Sequence, residues 1–587
     1  MSINFTIKSV GTVGQRTDFA RIVLRAGPCS GGVAGTVYEL APGQDPQPTL
    51  GFGPLAIADA RAAALVPNAQ RYALKVEATI AGEISAVTQS GSGPLLTVAG
   101  SDLDGLSDTP FAALDCKARV RTAGALGTAQ LDIALDGASY NYTVDVPAQT
   151  PATVIGTADV SLFTWGVGGT IGTKTIVIGA STCTFANPAS STAMLAALEG
   201  AISGYAFDLV QGKYLRIRKD TVGSGSTFAV DSASTADTTL GLSNSTATGS
   251  DSTISISGTG LIIGCPTGDY VKDEVYSWTT TAPRCSLADY VAAFTAAGAD
   301  PSLSFGLMVP VQVPVDAIDA RAYADALDTL CATWEAQEDK RFVMWLIGSP
   351  LDETDAALKL AFASHVSRHG AVAHRDCYLD SVVPQPQGKL RASAVEQLAI
   401  RCAAQESFSE DPGFGGYGAL ECSIKNAAGT VSARTESAAS IKMGTSSGPG
   451  FTTITSKSGL AYFTRGVTRA GSTSRFVDIG VARASKALAA VLWAALRRIE
   501  NPTFDLNADG TIQEADAAAL EKAFKEEMVE KFQKEGRHFS SVNAVVSRTE
   551  IISTTRNVTI DYEAQIRGQG ENLTGKLSVV GVVAQTV

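Results

Sequence analysis

The spacing most suggestive of chemistry in this 587-residue chain is an acidic loop near its carboxyl end. Oxygen-bearing side chains recur there at alternate positions, a glycine follows them, and an acid stands at the twelfth position. EF-hand loops surround Ca²⁺ with oxygen ligands in this order, and their glycine permits the sharp turn. The pattern predicts a structural Ca²⁺ site with the ligands Asp505, Asn507, Asp509, the Thr511 carbonyl and Asp516.

One position of this loop keeps an alternative open. The twelfth residue of an EF-hand loop is usually glutamate, which chelates through two oxygens, whereas Asp516 has a shorter side chain. The loop lies between a helix predicted over 485–499 and a second helix predicted from Glu514 to Glu535. The alternative is therefore a solvated acidic turn that caps the second helix.

A second group of possible metal ligands is a run of three histidines with a cysteine close behind: His365, His369, His374 and Cys377. A zinc site needs a set of ligands at recognisable spacing. A helix is predicted over 355–365, and the helical pattern is lost by Gly370, within this run. No fourth ligand stands at a suitable distance along the chain. The spacing favours surface or capping roles for these histidines.

Signals for an enzyme are weak. Residues 413–418 match G-x-G-x-x-G, but neither a strand before them nor a helix after them supplies the phosphate-binding context. An enzyme built on the predicted α/β region would use the carboxyl ends of its strands, where Ser349, Asp352 and Asp355 stand. The simpler interpretation is that Ser349 and Asp352 end a strand and cap a helix. We therefore predict no catalytic residues and no enzymatic activity.

The elements that would position these groups fall into regions of different composition. Continuous apolar runs alternate with helical patterns after residue 300, whereas residues 85–275 are rich in Ser, Thr, Gly and Asp with period-two runs. This predicts an α+β or α/β multidomain protein: a three-layer α/β core, a β-rich insertion built as a sandwich or as two small modules, and terminal strand arms. The domain boundaries that we expect are 1–84, 85–275, 276–480 and 481–587.

Charge and cysteine content exclude several classes of protein. Lysine and arginine number 46 against 58 acids, a net charge of −12, and no basic block compensates it, which argues against a nucleic-acid partner. The nine cysteines are scattered without a C-x-x-C pair, which indicates reduced thiols in a cytosolic compartment. No signal peptide is visible, and no apolar stretch approaches the roughly 20 residues that cross a bilayer. We expect a soluble protein that does not insert into membranes.

Several segments resemble a known family in sequence and in order. Residues 49–56 (TLGFGPLA), followed by an alanine-rich helix, resemble the start of contractile tail sheath proteins of phages. Residues 129–137 (AQLDIALDG) and 269–283 (DYVKDEVYSWTTTAP) are similar to phage structural proteins of this type, and 228–244 resembles the β modules that decorate flagellin-like and sheath-like proteins. The resemblance spans most of the chain, through the β-rich carboxyl terminus.

This resemblance implies a structural role without a catalytic residue. Sheath subunits form stacked rings, expected to be hexameric, around an inner tail tube, and the sheath contracts to drive the tube through a membrane. Baseplate and tail terminator proteins would be the other partners, in a virion tail assembled in the host cytoplasm. The family's arms add strands to neighbouring subunits. Here the arms would be about 2–23 and 577–587, with interface residues Asn4, Phe5, Thr6, Ile7, Lys8, Val579, Val580, Val582 and Val583.

A flagellin-like or surface-layer assembly protein remains the main alternative. Such a protein shares the Ser/Thr/Gly-rich β modules, but it is normally exported and nearly free of cysteine, and the nine thiols argue against it. An α/β enzyme is the less favoured alternative.

Overall fold

The computed structural model describes residues 19–580 except 138, 244, 313, 338–339, 352, 375, 381–388, 406–419, 421, 424–449, 458–459, 464–465, 472–473, 475, 499–503, 531, 533–537, 556 and 567–571. Single 3₁₀ turns lie at Phe19–Arg21 and Val160–Leu162. No helix in these residues is both long and apolar enough to span a bilayer.

The amino-terminal region contributes three strands and two helices: β1 (Val23–Gly27), β2 (Val37–Leu40), α1 (Gln47–Leu50), α2 (Pro54–Leu65) and β3 (Arg71–Lys75). Helix α2 is the alanine-rich helix predicted after the TLGFGP segment. It starts at Pro54, which suits the first helical position because proline has no N–H to leave unpaired. Gly53, just before it, has a φ of +113°, a conformation that favours glycine.

The region that follows is built almost entirely of strands, most of them short: β4 (Thr88–Gln89), β5 (Thr97–Leu103), β6 (Leu106–Thr109), β7 (Leu114–Thr122), β8 (Gln130–Ala134), β9 (Tyr140–Asp145), β10 (Pro151–Ile155), β11 (Thr175–Ile178), β12 (Ser181–Thr184), α3 (Ser191–Ala201), β13 (Tyr205–Val210), β14 (Tyr214–Val222), β15 (Thr227–Ala229), α4 (Asp237–Leu240), β16 (Thr246–Thr248), β17 (Thr253–Ile256), β18 (Leu261–Gly264) and β19 (Val275–Thr280). Helix α3 is the single longer helix predicted here, and Ser190 caps it by accepting a hydrogen bond from Ala193 N–H.

Two separate hydrophobic clusters divide this β-rich region. The sheets β4-β19-β7-β8-β9 and β17-β18-β5-β6 share one cluster, which includes Leu131, Ile263 and Trp278. The sheets β10-β14-β13, β11-β12 and β15-β16 surround a second cluster with α3. Every member of the second cluster lies between residues 152 and 247, so this part is a module nested within the first.

Helices and strands alternate in the next region, as the sequence predicted: α5 (Leu287–Ala299), β20 (Leu307–Pro310), α6 (Ala317–Ala336), β21 (Met344–Gly348), α7 (Asp355–Ala361), β22 (Gly370–His374), β23 (Asp376–Asp380), β24 (Lys389–Ser393), α8 (Val395–Ala404), β25 (Cys422–Ser423), β26 (Thr452–Lys457) and β27 (Leu460–Phe463). Asp316 caps α6, since its carboxylate accepts hydrogen bonds from the N–H groups of Ile318 and Asp319 at 2.9 and 2.8 Å.

Five of these strands combine with β1, β2 and β3 in one eight-stranded sheet of order β2-β3-β1-β20-β21-β22-β26-β27, and the other three form the sheet β24-β23-β25. Its six central strands run parallel, and only the outer pairs β2-β3 and β26-β27 are antiparallel. Met344 and Leu346 of β21 pack in the cluster that contains α8, whereas Trp345 and Ile347 pack in the cluster that contains α6. A strand covered on both faces explains the continuous apolar run in the sequence.

A network of buried charges ties α2 to this sheet. The Arg71 guanidinium contacts the Asp59 carboxylate and donates to the Gln44 carbonyl at 2.7 Å. Arg25, on the neighbouring strand β1, is 2% exposed. Burial lowers the pKa of Arg25, and the carboxylates of Asp59 and Glu396, from α2 and α8, oppose that shift. Removing one member of such a network leaves an uncompensated buried charge, which costs about 3–5 kcal/mol.

The carboxyl-terminal region adds three helices and three strands: α9 (Ile479–Arg498), α10 (Glu514–Met528), β28 (Phe539–Val546), α11 (Ile552–Thr555), β29 (Asn557–Ile566) and β30 (Asn572–Val580). Arg483 of α9 connects this region to the rest of the molecule. Its buried guanidinium donates to the Cys402 carbonyl at 2.7 Å, at the end of α8, and to the Ala20 carbonyl at 3.1 Å.

Taken together, the described residues form a mixed α and β protein with eight sheets, which confirms the predicted class.

The nested module leads to a prediction about stability. The chain enters it at Thr150 and leaves it at Ser250, and these two residues exchange backbone hydrogen bonds of 3.0 and 3.2 Å. We expect replacement of residues 151–249 by a short Gly/Ser linker to leave the rest of the protein folded, because the linker need only span adjacent backbones. Circular dichroism and thermal denaturation would test this.

The excised module, residues 150–250, provides the matched control and should fold alone around its own cluster. Loss of cooperative unfolding in the linker variant would show that the two modules depend on each other for stability.

Candidate functional site: the carboxyl-terminal sheet

The carboxyl-terminal sheet consists of three antiparallel strands in the order β28-β29-β30. Strand β28 alternates between core and solvent, and Val542, Ala544 and Val546 point inward against Leu520 and Phe524 of α10. In the part of the chain that the structure describes, β28 and β30 each pair with β29 alone. The sheet therefore has two outer edges, and an unpaired edge is a template for another strand.

Side chains close one end of the β28 edge. Ser547 N–H donates to the Thr559 carbonyl at 2.8 Å. The backbone N–H and C=O groups of the odd-numbered β28 residues therefore face β29, and those of the even-numbered residues face away from it, at the outer edge of the sheet. At the last outward position, Val546 N–H donates to a Glu521 carboxylate oxygen at 2.8 Å, and Arg548 donates to the Val546 carbonyl at 2.8 Å. Both outward groups of Val546 are thus occupied.

Arg548 and two glutamates hold this closure together. Its guanidinium donates to both oxygens of Glu514 at 2.8 Å and also contacts the Glu521 carboxylate. The hydrogen bond from Arg548 is the main cause that lowers the pKa of Glu521, so that carboxylate is charged at neutral pH. Beyond the closure, the outward backbone groups of Val542 and Ala544 have no backbone partner among the described residues. The open part of the edge is therefore short and lies toward Phe539.

The structure places the expected arm residues as follows. Val579 and Val580 belong to β30 and pair with Val558 and Asn557 of the same chain. Their inner side is thus occupied within one subunit, and their contact with a neighbouring subunit stays a prediction. Val582 and Val583 lie outside the described residues, as do all five amino-terminal arm residues, Asn4, Phe5, Thr6, Ile7 and Lys8.

An amino-terminal arm of the expected extent, 2–23, does not fit the structure of residues 19–23. Phe19 and Ala20 are buried in the cluster formed by α9, α10 and the carboxyl-terminal sheet. Val23 lies in β1 at the centre of the large sheet, where it pairs with Leu307 and Arg71. The segment 19–23 is part of the folded core, so an arm can include only residues before Phe19, and it begins beside the carboxyl-terminal sheet.

The predicted Ca²⁺ loop is closed by its own hydrogen bonds. An Asp509 carboxylate oxygen accepts from Thr511 N–H at 3.0 Å and from its hydroxyl at 2.7 Å, which lowers the pKa of Asp509. Asp516 accepts from Asp505 N–H at 2.6 Å, and Asn507 donates to the Thr511 hydroxyl at 3.0 Å. Gly510 has the expected positive φ of +83°.

These contacts close the loop as a turn, but none of them caps α10, whose N-cap residue Gln513 accepts no capping hydrogen bond through its side chain. Within the residues described, no group of three or more acidic, histidine or cysteine side chains is arranged to hold a metal ion. One Asp516 carboxylate oxygen is held by the backbone N–H of Asp505. The Ca²⁺ site stays a prediction.

The histidines are buried, contrary to the surface role that the sequence favoured. His365, His369 and His374 are 4%, 8% and 1% exposed. His374 Nε2 lies 3.0 Å from an Asp355 carboxylate oxygen, and His369 Nδ1 lies 2.7 Å from the Lys486 ammonium. Apolar periodicity did not reveal them because each histidine sits at a helix or strand end, where the buried pattern breaks.

The carboxyl ends of the strands, where an enzyme of this class would place its site, carry Ser349, Asp352 and Asp355. Ser349 is fully buried, and its N–H donates to the Ala373 carbonyl at 2.8 Å, continuing the pairing of the sheet. Asp352 lies outside the described residues, as does the G-x-G-x-x-G segment 413–418. A cavity of about 450 Å³ lies near the opposite, amino ends of the strands, lined in part by Arg21, Glu39 and Gln70. It contains no nucleophile paired with a base.

Sequence reasoning missed the residues that close and anchor this site. Arg483 and Lys486 lie three positions apart in the otherwise apolar helix α9, and charges in such a helix are a signal for buried ion contacts. Glu521 and Arg548 gave no signal, because they come from a helix and a turn 27 residues apart.

Comparison with known proteins returned solved structures only. No protein-family model and no curated protein matches the chain. A sheath tail protein from Desulfitobacterium hafniense is 12% identical over 99% of this chain and 100% of its own, with a TM-score of 0.40. The solved structures similar to this chain include sheath tail proteins and the sheath complex of a contractile injection system.

Two further neighbours illustrate the range of this similarity. A sheath tail protein from Listeria innocua is 10% identical over 96% of this chain and 98% of its own, with a TM-score of 0.39. The contracted sheath complex of the extracellular contractile injection system PVC is 10% identical over 52% of this chain and 76% of its own, with a TM-score of 0.31.

Two buried histidines lead to a prediction of acid sensitivity. Burial and the nearby Arg483 and Arg21 lower the pKa of His538 to about 3. Burial, Arg469 and Arg321 lower the pKa of His365 to about 4, although Asp325 and Asp328 oppose this. Both values lie below the ~6.5 of an unfolded histidine. The unfolded chain therefore binds protons first as the pH falls, and stability decreases from about pH 6.5 toward pH 4.

Thermal denaturation from pH 7.5 to pH 5 would measure this effect. Each histidine should contribute up to about 1.4 kcal/mol per pH unit in that window, and the His538→Gln and His365→Gln variants should show a shallower decrease in melting temperature. Identical pH profiles for the variants and the wild type would contradict the prediction.

The acidic loop gives a second prediction. If Ca²⁺ binds the folded loop, it raises the melting temperature by mass action, and Asp505→Asn abolishes that increase. Asp505 is the informative position because its side chain makes none of the hydrogen bonds described above for the turn, whereas Asp509→Ala removes two of them. Melting curves with Ca²⁺, with Mg²⁺ and with chelator would measure the effect. A wild type that is indifferent to Ca²⁺ would mean that the turn is only a helix cap.

Proposed function

We propose that this chain is the structural subunit of a contractile tail sheath, which polymerises by strand addition between subunits. The observation that carries the proposal is the open edge of β28 at Val542 and Ala544. An incoming strand would hydrogen-bond to these outward backbone groups, and alternate side chains would set its register. The Glu521–Arg548 closure at Val546 would stop that strand and so limit the possible registers.

The position of the amino-terminal arm supports this arrangement. Phe19 and Ala20 pack in the same cluster as β28, and Arg483 holds the Ala20 carbonyl. An arm that starts there leaves the core next to the carboxyl-terminal sheet. Lys8 precedes Phe19 by eleven residues, which span up to roughly 35–40 Å when extended. Residues 4–8 can therefore reach the sheet of an adjacent subunit while Arg483 keeps the arm attached to its own core.

The sequence at the carboxyl terminus provides a second tether. Residues 581–587 follow directly after β30 and carry no charge, with Val582 and Val583 among them. Because β30 is an outer strand of its sheet, the chain beyond it could continue into a neighbour's sheet and leave the pairing of β30 with β29 intact. Two such connections per subunit would keep a lattice joined while the folded domains rotate, which is what contraction demands.

The remaining parts of the proposal follow from the same role. The eight-stranded sheet with its helices would be a three-layer core, and the β-rich region an insertion on the outside of the lattice. The partners would be other copies in stacked, hexameric rings, an inner tube, and baseplate and terminator proteins of a tail assembled in the host cytoplasm. We propose no enzymatic activity, no nucleic-acid contact and no direct membrane insertion, and a Ca²⁺ ion at the acidic loop would be structural.

Negative-stain microscopy and sedimentation of the purified full chain test this function. The sheath proposal predicts striated tubes or rings that increase with concentration, and truncation after Val580 should leave a folded protein that no longer polymerises. A compact monomer at every concentration, with and without the tube protein, would overturn the proposal.

The β28 edge gives a sharper prediction. Val545 is 47% exposed on the solvent face of the edge strand, and lysine at an edge discourages strand pairing. We expect Val545→Lys to remain folded but to raise the concentration needed for assembly several-fold, since a cross-strand pair contributes roughly 0.2–1 kcal/mol. Sedimentation velocity would measure the assembled fraction.

Two controls separate the edge from general effects of charge. Val545→Thr keeps a β-branched side chain and should assemble normally. Val167→Lys adds the same charge at a valine that is 93% exposed in the nested module, and it should also assemble normally. Equal assembly of Val545→Lys and both controls would show that β28 does not receive a strand.

A further inference from the structure

Two cysteines lie on neighbouring strands in the α/β region. Strands β23 and β25 are antiparallel, with Leu379 opposite Cys422. Cys377 precedes Leu379 by two residues, so it points to the same face and is a diagonal neighbour of Cys422. Both cysteines pack against one hydrophobic cluster, Cys377 as a fully buried member and Cys422 as a half-buried residue at its boundary.

The neighbouring Cys422 thiol also affects the ionisation of Cys377. This neighbour, followed by burial, raises the pKa of Cys377. Both residues are free thiols in the structure. Two adjacent thiols that differ in exposure have the arrangement of a dithiol in which the outer sulfur reacts first and the inner one completes the bond.

We propose that Cys377 and Cys422 form an intrachain disulfide when the folded protein meets a small-molecule disulfide. The Cys422 thiolate attacks the oxidant, one sulfur leaves as a thiolate, and a mixed disulfide remains on Cys422. The Cys377 thiolate then attacks the Cys422 sulfur and expels the second small thiolate. The protein loses two electrons and two protons, and the oxidant is reduced to two thiols.

The strands allow the small movement that this bond requires. Diagonal neighbours on antiparallel strands have Cα atoms about 7–8 Å apart, slightly beyond the usual disulfide range of about 4.4–6.8 Å. Strand β25 has only two residues, and its neighbour Leu420 pairs with Ala461 through a single bridge. Because the described part of β25 is this short, it can shift along β23, which brings Cys422 toward Cys377 without disturbing the central sheet.

The bond would fasten the β23–β24 hairpin to the edge of the large sheet. Strand β25 contacts β23 on one side, and Leu420 bridges to β27 on the other. A crosslink between residues 377 and 422 closes the intervening segment into a loop, which restricts the unfolded chain and stabilises the folded one. The inference concerns one chain and does not depend on the assembly proposed above.

Oxidised glutathione and mass spectrometry test the proposal on the native full chain. After incubation, the protein is unfolded without reductant and alkylated with iodoacetamide. Of the nine cysteines, seven should be alkylated after oxidation, because two are in the disulfide, and all nine should be alkylated after reduction. Peptide mapping should find residues 377 and 422 in one crosslinked species.

Variants make the test specific. Cys422→Ser changes the half-buried partner, so the fold should be preserved and all eight remaining thiols should be alkylated after oxidation. Cys331→Ala changes a buried cysteine on the other face of the sheet and should leave the 377–422 bond unchanged. Alkylation of all nine cysteines after oxidation of the wild type, a stable mixed disulfide on Cys422, or a crosslink that persists in Cys422→Ser would overturn the proposal.

Discussion

The buried guanidinium of Arg483 is the contact on which the rest of the architecture depends. It joins the carbonyl at the end of α8, the 3₁₀ turn before β1 and helix α9, three segments from distant parts of the sequence. A buried arginine must find acceptors, and each hydrogen bond to a charged group contributes about 1.5–3 kcal/mol. The contact holds the segment before β1 beside the helix that packs under the carboxyl-terminal sheet.

The two sides of this junction differ in how they satisfy their backbone groups. The large sheet buries both faces and ends in antiparallel outer strands, and its parallel centre is inaccessible. The carboxyl-terminal sheet buries one face against α10, and among the described residues side chains satisfy its β28 edge at Val546. The large sheet is thus covered on both faces, whereas the small one keeps outward backbone groups at Val542 and Ala544 without a backbone partner in the described part of the chain.

Local patterns in the sequence predicted local structure well. The helices predicted from Asp355 and from Glu514 begin at those residues, because helical periodicity depends on residues that are close in sequence. The change in composition predicted a β-rich region over 85–275. Strand β19 extends past that boundary, because Val275–Thr280 pairs with β7, 156 to 166 residues earlier in the chain.

Contacts between distant residues escaped prediction for the same reason. The carboxyl-terminal valines looked like a free strand, but β29 is alternating and β-prone as well, and nothing in either segment specifies their mutual pairing. The thiol pair of Cys377 and Cys422 depends on a strand register that the intervening sequence does not encode locally. The Arg25–Asp59–Glu396 network requires three elements to meet before any of its charges is compensated.

The nested module meets the rest of the molecule where Thr150 and Ser250 lie side by side. A chain that leaves and returns at one point is a side branch with respect to mechanical load. Tension that passes between the amino-terminal and carboxyl-terminal parts is transmitted by the sheets beneath and bypasses the module, whatever its own resistance to unfolding. Force transmission therefore places no constraint on the module's sequence, which is constrained by the module's own stability and by the contacts of its outer surface.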